Sequence, residues 1–109
     1  MTNLLLRPAK TSDVAFIKSL IGQYAPDRRM LKKEIMTLFE DIQEFVIAEL
    51  NGEPVGYGAL HVLWEDLAEV RSVAVRPEMK RHGIGRAVVE HLIERAEKLG
   101  IRRLFCLTF

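Results

Sequence analysis

Apolar and polar positions follow two different periods along this chain, and each switch of period marks an element. Leu4-Leu5-Leu6-Arg7 reads as a short strand that stops before Pro8, which has no N–H for a ladder. Thr11, Ser12 and Asp13 offer caps for a helix whose apolar residues Val14, Ile17, Leu20, Ile21 and Tyr24 share one face. Ala25-Pro26-Asp27 breaks it. Leu31, Ile35, Leu38, Phe39 and Ile42 then repeat the helical rhythm. Residues 44–50 (EFVIAEL) form a second strand, and Asn51-Gly52-Glu53-Pro54 turns it tightly into a third, VGYGALHVL. A fourth strand, LAEVRSVAV, covers residues 67–75. The helix expected from Ile84 to Leu99 carries Val88, Leu92, Ala96 and Leu99 on its apolar stripe, with Gly100 suited to the left-handed position after it. Residues 102–109 then alternate Leu104, Cys106 and Thr108 against Phe105, Leu107 and Phe109, with Cys106 expected as a buried small apolar residue.

The resulting order is β-α-α-β-β-β-α-β, an α/β (α+β) class with a final right-handed β-α-β crossover joining two parallel strands. Neither a repeat nor a linker interrupts it, so residues 1–109 are expected to form a single domain. Formal net charge is only +1, which argues against a nucleic-acid or membrane surface as the partner. Any anion site must be local. A lone cysteine excludes an intrachain disulfide framework, and His61, His82 and His91 lack metal-ligand spacing with nearby acids. With no signal-like or membrane-spanning run, a cytoplasmic protein is expected.

Local positive charge does occur in one place. Lys80, Arg81, His82 and Arg86 surround Gly83 and Gly85 at the mouth of the long helix, with Glu78 opposing them. A helix N-terminus offers N–H groups without internal partners, and glycine lets an anion approach the backbone. Phosphate binding at residues 81–86 is the functional reading; a glycine turn with solvated basic residues is the plain one. Gly85 is followed by Arg86-Ala87, which excludes a P-loop, and Val88 stands where a dinucleotide fingerprint needs its third glycine.

The run VRSVAVRPEMKRHGIGRAVVEHL resembles motif A of the GNAT superfamily, the acetyl-CoA-dependent N-acetyltransferases: a strand ending Val-x-Pro, a basic Lys80-x-x-Gly83-x-Gly85 loop and a helix. LLLRPAKTSD and FVIAELNGEPVGYGAL are similar to the family's first strand, first helix and central hairpin. The pairing of GALHVLWEDLAEVRSVAV with LKKEIMTLFEDIQEFVIAE is most similar to the short group related to N-acetylglutamate synthase. Lys80 departs from the family's Gln or Arg, keeping the charge but not the fork of Arg.

The resemblance implies a mixed, mostly antiparallel sheet flanked by helices, with the family's usual C-terminal helix and two strands absent from this chain. It implies acetyl-CoA as cosubstrate, no metal, and contacts through Val73, Ala74, Val75, Lys80, Arg81, His82, Gly83, Ile84, Gly85 and Arg86. The Val73 N–H is the implied oxyanion donor, and Glu69 the implied general base. By period-two counting, Glu69, Arg71, Val73 and Val75 share one face of the fourth strand. An ion pair with Arg71 is the plain reading of Glu69. Lys33 and Arg71 are the candidates for gripping an acidic acceptor, and His61 is an alternative base or a satisfied strand histidine.

The implied reaction acetylates the primary amine of a small molecule, such as the α-amino group of glutamate, as in arginine biosynthesis. A protein N-terminal or lysine acetyltransferase and a non-catalytic acyl-CoA-binding module are the alternatives. An exposed sheet edge would also allow a homodimer.

Overall fold

A computed structural model describes residues 3–107. Its strands are β1 (Leu4–Pro8), β2 (Phe45–Leu50), β3 (Glu53–Trp64), β4 (Leu67–Val75) and β5 (Arg103–Phe105), and its helices are α1 (Val14–Tyr24), α2 (Lys32–Glu40) and α3 (Ile84–Lys98). Short 3-10 turns at 11–13, 42–44 and 77–79 join them. The order matches the expected one. The sheet runs β1-β2-β3-β4-β5, antiparallel except for the parallel β4–β5 pair joined through α3. Among the described residues no helix is long and apolar enough to cross a membrane.

Both faces of the sheet are covered, which explains why β2 reads as an unbroken apolar run. Val46 and Ala48 point into a core completed by Ile84, Val88, Leu92 and Ala96 of α3. Phe45 and Ile47 point the other way, into a core with Val14, Ile17 and Leu20 of α1. The β2–β3 turn carries Asn51 and Gly52 at φ 53° and 84°, the two positive values its tight geometry needs.

Two glycines of β3 set how closely α3 can dock. A Cβ on Gly58 would lie 2.6 Å from Cγ1 of Val88 and 3.2 Å from both Cδ1 of Leu92 and Cγ2 of Val73. A Cβ on Gly56 would lie 2.9 Å from the carbonyl oxygen of Ala74. The missing side chains are therefore the space the helix occupies.

Several boundaries differ from the sequence expectation. Pro8 closes β1 as an edge residue, opposite Val46, where no further strand asks for its N–H. Glu44 belongs to the 3-10 turn before β2 rather than to the strand. The stripe of α2 is not buried: Leu31 and Phe39 are exposed and the helix has no fully buried residue, because its apolar side borders an open cavity shared with α1. Leu99 is exposed at the helix end, where Gly100 turns the chain at φ 84°. The last strand is only three residues long, and Cys106 lies beyond it, exposed. The expectation of a buried Cys106 fails because β5 loses its partner at Phe105. Thr108 and Phe109 lie outside the described residues.

The turn into α1 is held by charge. The Arg7 guanidinium donates to both carboxylate oxygens of Asp13, at 2.8 and 2.9 Å, and the Lys10 N–H donates to the same carboxylate at 2.7 Å. Asp13 is the buried charged residue of the core boundary.

Two outcomes test this packing. Gly58→Ala should lower unfolding free energy by about 1–3 kcal/mol in urea melts, since the added methyl overpacks α3 against β3. The Arg7 guanidinium holds the Asp13 carboxyl below the usual carboxylate range. A lowered folded value means that the pair's stabilisation is complete above the unfolded carboxylate range and is lost as pH falls through the folded one. Asp13→Asn should therefore flatten the acid limb of stability against pH.

Candidate active site

The site begins with a slip in register. Tyr57 pairs with Ala74 but Ala59 pairs with Arg71, so β4 spends one residue more than β3 over the same stretch. Ser72, at φ 59°, is the left-handed residue of this β-bulge. Before it, Ala68 and Val70 face α3, while Glu69 and Arg71 lie opposite His61 and Ala59 on the other face. After it the parity reverses: Ala74 joins the α1 core and Val75 packs towards α3. Glu69 and Arg71 do share a face, but Val73 and Val75 do not join them. Simple period-two counting fails at this extra residue.

The bulge also separates two strands. β4 pairs with β5 only from Leu67 to Glu69, so among the described residues no strand covers its outer edge from Val70 to Val75. A groove of about 300 Å³ fills that gap on the α3 side, with Val89, Ile93 and Leu104 in its apolar wall. A second cavity, of about 310 Å³, lies across the sheet between Tyr24, Leu38, Phe45 and Tyr57. Ser72 and Val73 line both. The bulge is where the two meet.

Farther along, the Arg76 N–H donates to the Val55 carbonyl at 2.8 Å. Alternation in an antiparallel pair then turns the N–H and C=O of Val75 away from β3, to the open edge. Tyr24, at the end of α1, donates its hydroxyl to that carbonyl at 2.5 Å, and the Lys80 ammonium lies 4.9 Å from its ring centre. Tyr24 thus ties the end of α1 to the glycine loop. Tyr57, packed against Phe16 and Phe45, has its phenol pushed up to about 12, first by burial and then by Tyr24. It remains a hydrogen-bond donor throughout the neutral range.

The loop into α3 alternates its backbone sign, with Arg81 at φ 66° and Gly83 at φ 78°. The first helical bond there runs from the Ala87 N–H to the Gly83 carbonyl, which leaves the amides of Ile84, Gly85 and Arg86 as the open donors of the helix start. Gly83 is explained by its dihedral angle. Gly85 is not: a Cβ there would meet only Cγ2 of Val75, at an ordinary 3.6 Å. The protein has room for alanine, so the bare backbone leaves space on the solvent side. The exposed His82 ring folds back on its own loop, its Nδ1 within 2.9 Å of the Lys80 carbonyl and 3.1 Å of that of Met79. Arg86 is mostly solvated and pairs with Glu90 at 2.8 Å.

On the far face a polar cluster stands over β3 and β4. Arg71 lies 3.3 Å from Glu44 and 3.8 Å from Glu69, and the other oxygen of Glu44 lies 2.8 Å from Nδ1 of His61. Thr37, Asp41, Glu44, Arg71 and Ser72 line one cavity. Lys33 is exposed one turn before Thr37, whose hydroxyl donates to its carbonyl at 3.0 Å. The structure thus brings Glu69, Arg71 and His61 together and leaves Lys33 at the rim. The sequence reading missed Glu44, assigned there to a strand, and the contact of Tyr24 across the loop. Among the described residues no group of three potential ligands could hold a metal ion.

Comparison with known proteins agrees with this geometry. Residues 14–109 match the Acetyltransferase (GNAT) family. An amino-acid acetyltransferase of Mycobacterium tuberculosis is 51% identical over 108 residues, covering 96% of this chain and 62% of that protein. An uncharacterized N-acetyltransferase, CT2212 of Chlorobaculum tepidum, is 33% identical, covering 94% of this chain and 66% of its own length. The chain therefore spans somewhat less than two thirds of these relatives. Among solved structures, Rv2747 from M. tuberculosis in complex with CoA and NLQ superposes with a TM-score of 0.84 at 51% identity, covering 96% of this chain and 64% of that one. N-acetylglutamate synthase from Neisseria gonorrhoeae, complexed with coenzyme A and N-acetyl-glutamate, gives 0.86 at 28% identity, covering 99% of this chain and 26% of that one.

Proposed function

The chain belongs to the acetyltransferase (GNAT) family, and from that premise we propose that it transfers an acetyl group from acetyl-CoA to the primary amine of a small molecule, the α-amino group of glutamate or a related amino acid. The observation that carries this reading is the uncovered edge of β4 from Val70 to Val75, running from the bulge to the amides at the start of α3. A pantetheine arm is a chain of amides, and an open strand edge offers the complementary backbone groups. The amides of residues 81–86 and the positive end of α3 suit a diphosphate. Space beside Gly85 supports the fit, and Lys80 and Arg86 add charge at the rim. His82 acts differently from the sequence expectation in this reading: its ring fastens the loop through the Lys80 and Met79 carbonyls.

Acetyl-CoA supplies a thioester carbonyl. The residues of this chain have three tasks around it. Val73, at the junction of the two cavities, directs its N–H to the carbonyl oxygen as negative charge develops there. Glu69 takes the proton of the incoming ammonium, which begins near pKa ~10 and cannot attack while protonated. The acceptor lies in the cavity of Thr37, Asp41 and Arg71, with Lys33 exposed one helical turn before Thr37. Arg71 meets the acceptor with its charge already balanced by Glu44 and Glu69, so Lys33 is the cation with more to offer an acidic group. N-acetylglutamate in one structural neighbour supports this substrate class. A screen of free amino acids with acetyl-CoA, reading products by mass spectrometry, tests it; no acetylated amino acid from a folded, full-length protein would overturn it.

Two variants separate the tasks. Gly85→Ala should leave thermal stability level or slightly raised, because alanine is the better helix former by ~1 kcal/mol, while weakening coenzyme A binding in calorimetry. Unaltered affinity would remove the diphosphate from this turn. Glu69→Ala should reduce kcat by roughly 10²–10⁴-fold with the coenzyme A dissociation constant unchanged; full turnover would exclude the base role.

A further inference from the structure

We propose that Glu44 and His61 form a proton-handling pair beside Glu69, which passes the acceptor's proton from the half-buried carboxylate to solvent. The inference rests on the acetyl-transfer reading above and assigns two residues to it that the family motif does not contain. Three observations carry it.

The first is the tautomer. A carboxylate only accepts, so the 2.8 Å contact between Glu44 and Nδ1 of His61 puts the ring hydrogen on Nδ1. A neutral ring so held keeps the lone pair on Nε2, the atom that can accept a proton. The second is placement. His61 and Glu69 are direct cross-strand partners on the same face, a relation that sets their Cβ atoms about 4.5–5.5 Å apart. The Glu69 side chain is 13% exposed and that of His61 31%, so the histidine is the member of this cross-strand pair that meets water more freely. The third is the mount. Glu44 belongs to the turn before β2, and Arg95 of α3 donates to the carbonyls of Gln43 and Glu44 at 2.6 and 3.4 Å. The turn is fixed from below while its side chain orients the ring above.

The steps balance. Glu69 removes one proton from the ammonium as the neutral amine is released for attack. The protonated Glu69 gives that proton to Nε2 of His61, directly or across one water, and is a carboxylate again for the next turnover. The imidazolium keeps its Nδ1–H on Glu44, whose negative charge stabilises the cation, and loses the added proton to solvent. The charged groups around His61 are Glu44 and Asp41 at the turn and Glu69 and Arg71 on β4. Glu44 is thus a positioning residue. A structural histidine would need only one of these features.

Full-length wild type, His61→Gln, His61→Ala and Glu44→Gln, each checked for folding by circular dichroism, are assayed with acetyl-CoA and the twenty common amino acids. In His61→Gln, kcat should fall about tenfold, less than the loss of a direct base, with KM for acetyl-CoA unchanged and one ionisation missing from the kcat/KM profile against pH. Added imidazole should restore part of kcat to His61→Ala in proportion to its concentration. Imidazole nitrogen–proton correlation spectra of the wild type should show the Nδ1–H form, and Glu44→Gln should lose that preference. An Nε2–H ring in the wild type, or an unaltered pH profile in an active His61→Gln, overturns the inference and leaves the acetyl-transfer reading standing. A folded wild type that acetylates no amino acid brings down both.

Discussion

One extra residue in β4 governs the site. An antiparallel pair keeps its faces only while both strands advance together, and at Ser72 they do not. The bulge turns Val73 and Val75 towards α3 while Glu69 and Arg71 remain on the opposite face. Beyond Glu69, β4 also runs without β5 beside it. A continuous ladder would have satisfied those backbone groups and closed the groove. The irregularity keeps main-chain donors and acceptors available where the groove beside α3 meets the cavity across the sheet.

This opening is tolerated because the surrounding structure is tightly determined. Gly56 and Gly58 let α3 sit almost on the backbone of β3, and Ile84, Val88, Leu92 and Ala96 bury that helix along its length. A rigid α3 has two consequences. Its first turn presents amides at the end of the open β4 edge, and its Arg95 braces the turn that carries Glu44. One element therefore supports both halves of the proposed site. On the other side, Tyr24 joins α1 to the Val75 carbonyl and lies beneath Lys80, so α1 and the glycine loop share a contact.

Electrostatics around Arg71 differ from what the strand sequence alone implies. Arg71 is not a solitary cation awaiting an acidic substrate, because Glu44 and Glu69 flank it. A cation so compensated offers direction more than net charge, through hydrogen bonds of fixed geometry. The lysine at the rim, Lys33, is exposed on a helix whose apolar side is only partly covered. The polar cluster over β3 and β4 is thus drawn from a turn and two strands.

Element order, the tight hairpin at Asn51-Gly52, the parallel final crossover and the glycine loop at the start of α3 were all legible in the residues alone. Each is a local matter of periodicity, dihedral preference or a short motif, and local causes are written in contiguous residues. Glu69 and Arg71 were legible there as sharing a face, since both precede the bulge. The face that Val73 and Val75 take emerges only on folding, because parity along β4 depends on a count made against β3. The end of β5, and with it the exposure of Cys106, depends in the same way on where β4 leaves its neighbour. Glu44 was illegible for a related reason: its partners His61 and Arg71 lie 17 and 27 residues away, and no pattern within a window marks a side chain whose meaning comes from across the fold.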